Sequence, residues 1–191
     1  MYLNNIDFPN QILDAILENK LVVFAGAGAS MGKPTSLPDF LELAEKIAEG
    51  TGKTIKQNEP CEVFLGALKA GGVDVNGDAA KILSSACLKH NDLHETIVDL
   101  FLLPSNLKIV TTNYDQMFEQ VLEERSINIP VYNSPALPLG NDITGIIHIH
   151  GNVEDPKYMV VTDEDFGRAY LTDGYNNRHS TAVLDSNGCI F

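Results

Sequence analysis

The sequence of 191 residues predicts a single α/β domain, covering 1–191, built around a mostly parallel β-sheet. Short apolar runs typical of strands buried on both faces recur along the chain, and amphipathic helical patterns separate them. The length suits one hydrophobic core. Because parallel strands need long crossover connections, we expect helices on both faces of the sheet.

The predicted elements alternate from the start of the chain. Apolar residues at helical spacing predict a helix over 11–20, and the apolar run 21–25 predicts a buried strand. A glycine-containing turn at 26–32 then leads to an amphipathic helix that ends near Ala48, with Pro38 suited to its first turn. The remaining predicted strands cover 108–112, 129–131, 145–149, 158–161 and 187–191, and the remaining helices cover 114–124 and 174–184.

Residues 51–103 are predicted to form a helical insertion within this domain. Their apolar spacing is helical, and no segment among them has a strand pattern. Gly71-Gly72 and Asn76-Gly77 are turn signals that divide the insertion. We expect it to form a cap or a small subdomain.

Composition excludes several classes of partner. The chain has 26 acidic and 13 basic residues, a formal net charge of −13, and no local basic cluster, so nucleic acid is not an expected partner. The three cysteines form no disulfide pattern, and no signal peptide or membrane-spanning run is present. We therefore expect a cytoplasmic protein with no membrane partner.

The first strand end carries small residues suited to a bound phosphate. In an open parallel sheet, ligands bind beyond the carboxyl ends of the strands. The sequence GAGAS at 26–30 lets backbone N–H groups approach a pyrophosphate. The glycine spacing is one residue longer than in dehydrogenases, and Pro34 occupies the Ser/Thr position of a Walker motif. A plain tight turn between strand and helix is the structural alternative.

Two later strand ends carry polar residues with catalytic chemistry. Asn113 offers a donor and an acceptor for a ribose hydroxyl or a water, and Asp115 could accept a carboxamide hydrogen bond. His150 titrates near neutrality and suits a general base. The alternatives are that Asn113 or Asp115 caps the next helix and that His150 is structural.

Taken together, the motifs resemble a known enzyme family. GAGAS at 26–30, LPDF at 37–40, TNYD at 112–115 and HG at 150–151 are similar in order and approximate spacing to the catalytic core of sirtuins. The resemblance is closest to the sirtuin-like domains of bacterial defence proteins. It implies a Rossmann-like fold, NAD as substrate and a role in antiviral defence.

The resemblance implies a cofactor site built from the first turn and the loop after it. The residues expected to bind the NAD phosphates and the nearby ribose are Ala25, Gly26, Ala27, Gly28, Ala29 and Ser30. Asp39 and Phe40 are expected on a loop that closes over the nicotinamide end.

The resemblance also assigns roles to the later motifs. Asn113 would position the ribose or a water, Asp115 would contact the nicotinamide carboxamide, and His150 would act as general base. Thr112, counted with the cofactor site, stands where deacylating sirtuins have glutamine.

Zinc binding is not expected. Deacylating sirtuins hold zinc with two CxxC pairs, and this sequence has none, so the helical insertion takes the place of the zinc-binding small domain. Cys87, His90 and His94 follow a helical pattern without a fourth ligand, and we expect an ordinary helix face there.

The expected reaction is NAD hydrolysis at the nicotinamide–ribose bond, giving nicotinamide and ADP-ribose. The alternatives are a non-catalytic module that senses NAD or an ADP-ribose derivative, and protein deacylation or ADP-ribosyl transfer, which Thr112 and the absent CxxC pairs disfavour. Sirtuin-like domains continue past a strand such as 187–191 into an adenosine-binding loop. We therefore expect either a truncated domain with a further C-terminal domain or partner chain, or a degenerate copy; a homo-oligomer stays open.

Overall fold

The computed structural model describes residues 2–3, 6–7, 9–84, 88–137 and 143–172. The predicted helix over 174–184, the predicted strand over 187–191 and Cys87 lie outside these described residues. Within the described ranges, no helix combines the length and the apolar character needed to cross a bilayer.

The described residues form an α/β domain. Its strands are β1 (Tyr2–Leu3), β2 (Ile6–Asp7), β3 (Val23–Ala25), β4 (Lys108–Thr111), β5 (Val131–Asn133) and β6 (Gly145–His148). Its α-helices are α1 (Asn10–Leu17), α2 (Gly28–Met31), α3 (Phe40–Ala48), α4 (Cys61–Ala70), α5 (Val75–Leu83), α6 (Asp92–Asp99), α7 (Met117–Glu124) and α8 (Asp163–Gly167). Short 3₁₀ turns span Pro104–Asn106 and Pro156–Tyr158, and a π-helical turn spans Arg168–Thr172.

A four-stranded parallel sheet forms the centre of the domain. Its strand order is β3-β4-β6-β5, and every neighbouring pair is parallel. Ala25 pairs with Thr111, and Thr111 pairs with His148. The last residues of three strands therefore lie side by side, so the loops that follow them share one edge. The predicted Rossmann-like fold class is confirmed.

Alternate strand residues supply the two faces of the sheet. One face packs against α6 and α7 through a cluster of buried residues: Ala25, Val98, Leu107, Ile109, Phe118, Val121, Leu122 and Ile146. The opposite face carries a second cluster, formed by Val22, Val110, Leu137, Ile147 and Ile149. The strands are thus apolar on both sides, which is why their sequences are continuous apolar runs.

The segment predicted as a helical insertion is helical, and Gly71-Gly72 separates α4 from α5. Helices α3, α4 and α5 share a third core with the segment 159–161; its buried members include Leu43, Leu65, Leu68, Ala79, Met159 and Val161. In contrast, α6 packs on the sheet through Val98. A role of this segment as a cap stays a prediction.

The predicted strand over 158–161 is wrong. A 3₁₀ turn ends at Tyr158, and the extended residues after it join no ladder in the described sheet. Side chains satisfy two of its carbonyl groups instead: the Tyr114 hydroxyl donates to the Val160 carbonyl at 2.6 Å, and Asn76 Nδ2 donates to the Met159 carbonyl at 2.9 Å. Apolar character alone could not distinguish this buried segment from a strand.

Three predicted boundaries are also corrected. Asn76-Gly77 is not a turn but lies in the first turn of α5, because Asp74 caps that helix by accepting the Gly77 N–H. Pro38 precedes α3 rather than lying in its first turn, because Asp39 is the N-cap. The strand predicted near 129–131 begins at Val131.

Gly145 provides a test of the sheet register. Its φ of +124° is open to glycine alone, and a Cβ there would lie 2.1 Å from the Pro130 carbonyl oxygen. We expect Gly145→Ala to lower the free energy of unfolding by about 3 kcal/mol. Gly167→Ala is the matched control, since a Cβ at Gly167 meets no atom within 4 Å. Equal urea midpoints for the two variants would contradict the register.

Candidate active site

A cavity of about 230 Å³ opens at the carboxyl edge of the sheet. The loops after β3, β4 and β6 and the start of α3 supply most of its wall. Eight of the residues predicted from the sequence line it: Ala27, Ser30, Asp39, Phe40, Thr112, Asn113, Asp115 and His150. The strand-end motifs, far apart in sequence, therefore meet at one site.

Four predicted residues do not line this cavity: Ala25, Gly26, Gly28 and Ala29. Ala25 ends β3, and its carbonyl accepts hydrogen bonds from the Thr111 hydroxyl and the Thr112 N–H, both at 3.1 Å. The predicted glycine turn becomes helical already at Gly28, since α2 spans Gly28–Met31. Their predicted phosphate contacts stay predictions.

The Ser30 hydroxyl is the centre of a buried polar network. It donates to Asp115 Oδ2 at 2.8 Å and accepts from Asn113 Nδ2 at 3.2 Å. Its oxygen also lies 3.1 Å from His94 Nε2. All four side chains are buried. The network therefore connects helix α2, the loop after β4 and helix α6.

His94 is the member of this network that the sequence did not reveal. Asn91 N–H donates to His94 Nδ1 at 3.2 Å, which places the ring proton on Nε2, facing Ser30. Burial, aided by the charge of His90, lowers the pKa of His94 to about 4. The available signal was the spacing Asn91-x-x-His94, which forms a capping box at the start of α6.

Asp115 has the structural role at the helix start that the sequence left open, and it also lines the cavity. Its Oδ1 accepts the Met117 N–H at 3.1 Å at the start of α7, while its Oδ2 binds Ser30. Burial raises the pKa of the Asp115 carboxyl, although the Ser30 and Met117 hydrogen bonds oppose this shift. Asp115 thus supports the helix and faces the cavity.

Asn113 does not cap the following helix. Its backbone N–H donates to the Thr111 hydroxyl at 3.0 Å, and its side-chain amide donates to Ser30. Because Ser30 fixes the NH₂ end, Oδ1 points away from Ser30, and it accepts no hydrogen bond from the described residues. Asn113 therefore offers an acceptor to a ligand in the cavity.

His148 contacts the backbone of Asn113 from outside the cavity. It is fully buried and outside the cavity lining. Its Nδ1 lies 2.9 Å from the Asn113 carbonyl and its Nε2 lies 2.6 Å from Glu119 Oε1. Burial opposes the charged form of His148, but Glu119, the Asn113 carbonyl and the charge of Asp115 together outweigh burial and raise the His148 pKa. The two ring nitrogens both face acceptors, so the charged ring fits this position.

His150 lines the cavity in a mostly aromatic environment. Its ring packs edge-on against Phe166 with centroids 5.2 Å apart, and its Nε2 lies 2.7 Å from the Tyr170 hydroxyl. Burial lowers the pKa of His150 to about 4. The imidazole is therefore neutral at neutral pH, as a proton acceptor must be.

The LPDF motif supplies one wall of the cavity. Asp39 caps α3 by accepting the Glu42 N–H at 2.8 Å, and Phe40 is the first residue of that helix. Both line the cavity, but the Asp39 carboxylate is engaged by the helix start. Closure over a nicotinamide ring stays a prediction for this segment.

No group of three or more histidine, cysteine or acidic side chains within the described ranges is arranged to hold a metal ion. His90 contacts Glu95 and Glu124, whereas His94 binds Ser30 and Asn91. Both rings therefore have other partners.

The fold and the cavity define a Rossmann-like α/β domain with a polar ligand site at the carboxyl edge of its sheet. Residues 107–190 match the model of the SIR2-like domain family. The sirtuin-like resemblance inferred from the motifs is thereby confirmed.

Two relatives align with a larger part of the chain than this family match does. The chain is 30% identical over 198 residues to the uncharacterized protein y4cA of Sinorhizobium fredii (strain NBRC 101917 / NGR234), covering 90% of this chain and 16% of y4cA. It is 25% identical over 155 residues to the NAD(+) hydrolase ThsA of Bacillus cereus (strain MSX-D12), covering 79% of this chain and 32% of ThsA. The chain therefore spans a third or less of the length of both relatives.

Because the pKa of His94 is lowered, the free energy of unfolding should depend on pH. An unfolded histidine is half protonated near pH 6.5, whereas folded His94 stays neutral down to about pH 4. The unfolded state binds more protons in this window, so stability falls as the pH falls from 6.5 toward 4. We expect His94→Gln to reduce this loss by about 1 kcal/mol per pH unit.

Urea unfolding at pH 7, 6 and 5 measures this dependence. His150 contributes a change of the same sign and is retained in the variant, so a residual slope is expected. Parallel pH dependences for the variant and the unmodified chain would show that His94 is not held neutral.

Proposed function

We propose that this chain hydrolyses NAD at the bond between nicotinamide and ribose, releasing nicotinamide and ADP-ribose. The main support is the geometry around Asn113, whose amide is fixed by Ser30 with its Oδ1 available, in the same cavity as the neutral imidazole of His150. The SIR2-like family match and the name of the relative ThsA, an NAD(+) hydrolase, agree with this proposal.

The cavity volume indicates which part of the substrate it holds. A volume of about 230 Å³ is smaller than pockets that enclose a whole drug-sized ligand. We assign it to the nicotinamide ring and its ribose, with the carboxamide near Asp115. The phosphates would then extend along the segment from Ala27 to Ser30 at the start of α2.

Asn113, His150 and Asp115 supply the groups that the proposed reaction uses. The bond between ribose C1′ and the pyridinium nitrogen breaks, and its electron pair neutralises the nicotinamide ring. A water, directed by Asn113, forms the new bond to C1′, and His150 accepts a proton from that water. The Asp115 carboxyl and Asn113 Oδ1 are suitably polar neighbours for the cationic ribose that develops.

Sensing without turnover is the second candidate. The low pKa of His150, about 4, makes its imidazole a weak base, and this observation favours binding over catalysis. A sensing module would signal to another domain, which is consistent with relatives about three or more times longer than the aligned region. A defence role, a homo-oligomer and an attached C-terminal domain are further proposals.

Substitution of the two proposed catalytic residues tests hydrolysis. We expect Asn113→Ala and His150→Ala to reduce nicotinamide release at least about 100-fold, because each removes a group that acts on the water. Asn10→Ala is the matched control, since Asn10 is exposed at the start of α1. Nicotinamide is followed by chromatography, and NAD binding is followed by calorimetry.

The two measurements separate the candidates. Retained NAD binding by both variants with loss of turnover supports hydrolysis at this site. NAD binding by the unmodified chain without any nicotinamide release supports sensing and rejects hydrolysis. If the folded chain neither binds NAD nor releases nicotinamide, both candidates are rejected. Consumption of an acetylated peptide in proportion to NAD would instead indicate deacylation, which Thr112 disfavours.

A further inference from the structure

Tyr170 makes the hydrogen bond that holds the His150 ring. Its hydroxyl lies 2.7 Å from His150 Nε2, and the two rings meet edge-on with centroids 6.0 Å apart. Tyr170 lies on the π-helical turn Arg168–Thr172, and its ring stacks on Phe166 at an interplanar angle of 12°. Short π-helical turns are frequent at functional sites.

The two sides of the His150 ring differ. His150 and Phe166 line the cavity, whereas Tyr170 is not part of its lining. His150 Nδ1 forms no hydrogen bond with residues 9–84, 88–137 or 143–172, while Nε2 is engaged by Tyr170. The hydrogen bond therefore occupies one ring nitrogen and leaves the other for a ligand.

We propose that Tyr170 is a positioning residue for His150: its phenolic oxygen accepts the Nε2 proton and leaves Nδ1 as the nitrogen that takes a proton in the cavity. The proposal rests on NAD hydrolysis as the function of the site. It extends that function to a residue outside the sequence motifs.

The chemistry of the imidazole supports this role. A neutral ring carries one proton, and the partner of one nitrogen decides which nitrogen keeps it. A base acts best when a third group orients it toward the nucleophile. Burial raises the pKa of the Tyr170 phenol, so it stays neutral and does not draw a second proton onto the ring. Phe166, stacked on Tyr170, restricts the direction of the phenol.

Tyr170→Phe tests the role of the hydroxyl alone, since the substituted ring can keep the stack on Phe166. We expect kcat for nicotinamide release to fall about tenfold with KM unchanged. This loss is smaller than the loss of the general base itself would cause, because the base is still present but less well oriented. Tyr158→Phe is the matched control, because Tyr158 is exposed and outside the cavity lining. Circular dichroism and thermal melting confirm that both variants fold.

Nitrogen-15 NMR of the histidine side chains provides a readout independent of turnover. The signal of His150 is assigned by its loss in His150→Ala. We expect the unmodified chain to show protonated Nε2 and unprotonated Nδ1, and Tyr170→Phe to show signals averaged between the two tautomers. Tyr158→Phe should match the unmodified chain.

Each outcome decides the proposal. The tenfold loss together with the tautomer change supports it. A proton on Nδ1 in the unmodified chain, or identical tautomers in Tyr170→Phe, overturns it. A rise in kcat also overturns it, because the hydroxyl would then be blocking the base. If the unmodified chain releases no nicotinamide, hydrolysis fails, while the tautomer comparison still decides whether Tyr170 positions the ring.

Discussion

The hydroxyl of Ser30 is the constraint on which the site depends. A hydroxyl has one proton to donate and two lone pairs, and Ser30 uses all three toward Asp115, Asn113 and His94. Because Asp115 accepts, Asn113 and His94 must both donate. The orientation of the Asn113 amide and the tautomer of His94 therefore follow from one buried hydroxyl. A buried network in which every polar group is hydrogen-bonded is rigid, whereas an unpaired buried group would lower the stability of the fold.

The pairing of the strands in the sheet also determines where the site residues lie. The pairing of Ala25, Thr111 and His148 in adjacent strands places the three following loops at one edge. Hydrogen bonds then continue beyond the ladder, from Thr112 N–H to the Ala25 carbonyl and between His148 and the Asn113 carbonyl. The backbone of Asn113 is thus fixed by the strands, while its side chain is fixed by Ser30.

Sequence reasoning could find the parts of the site that lie at strand ends. Apolar runs such as 21–25 and 108–112 identify the strands, and the topology of a parallel sheet predicts that Ser30, Asn113 and His150 converge. It could not find His94, which is 64 residues from Ser30 and reaches it only because α6 docks on the sheet. Nor could it find the contact between Tyr170 and His150, which depends on a π-helical turn.

The network also shows which part of the chain the site requires. The SIR2-like match begins at residue 107 and includes Asn113, Asp115 and His150, but Ser30 and His94 precede it. The side chains that orient the matched motif therefore come from outside the matched region. The alignment with y4cA covers 90% of the chain, so it must include most of residues 1–106. Residues from before position 107 and residues from the matched region therefore form one site. Residues 107–190 alone would lack the Ser30 hydroxyl that orients Asn113.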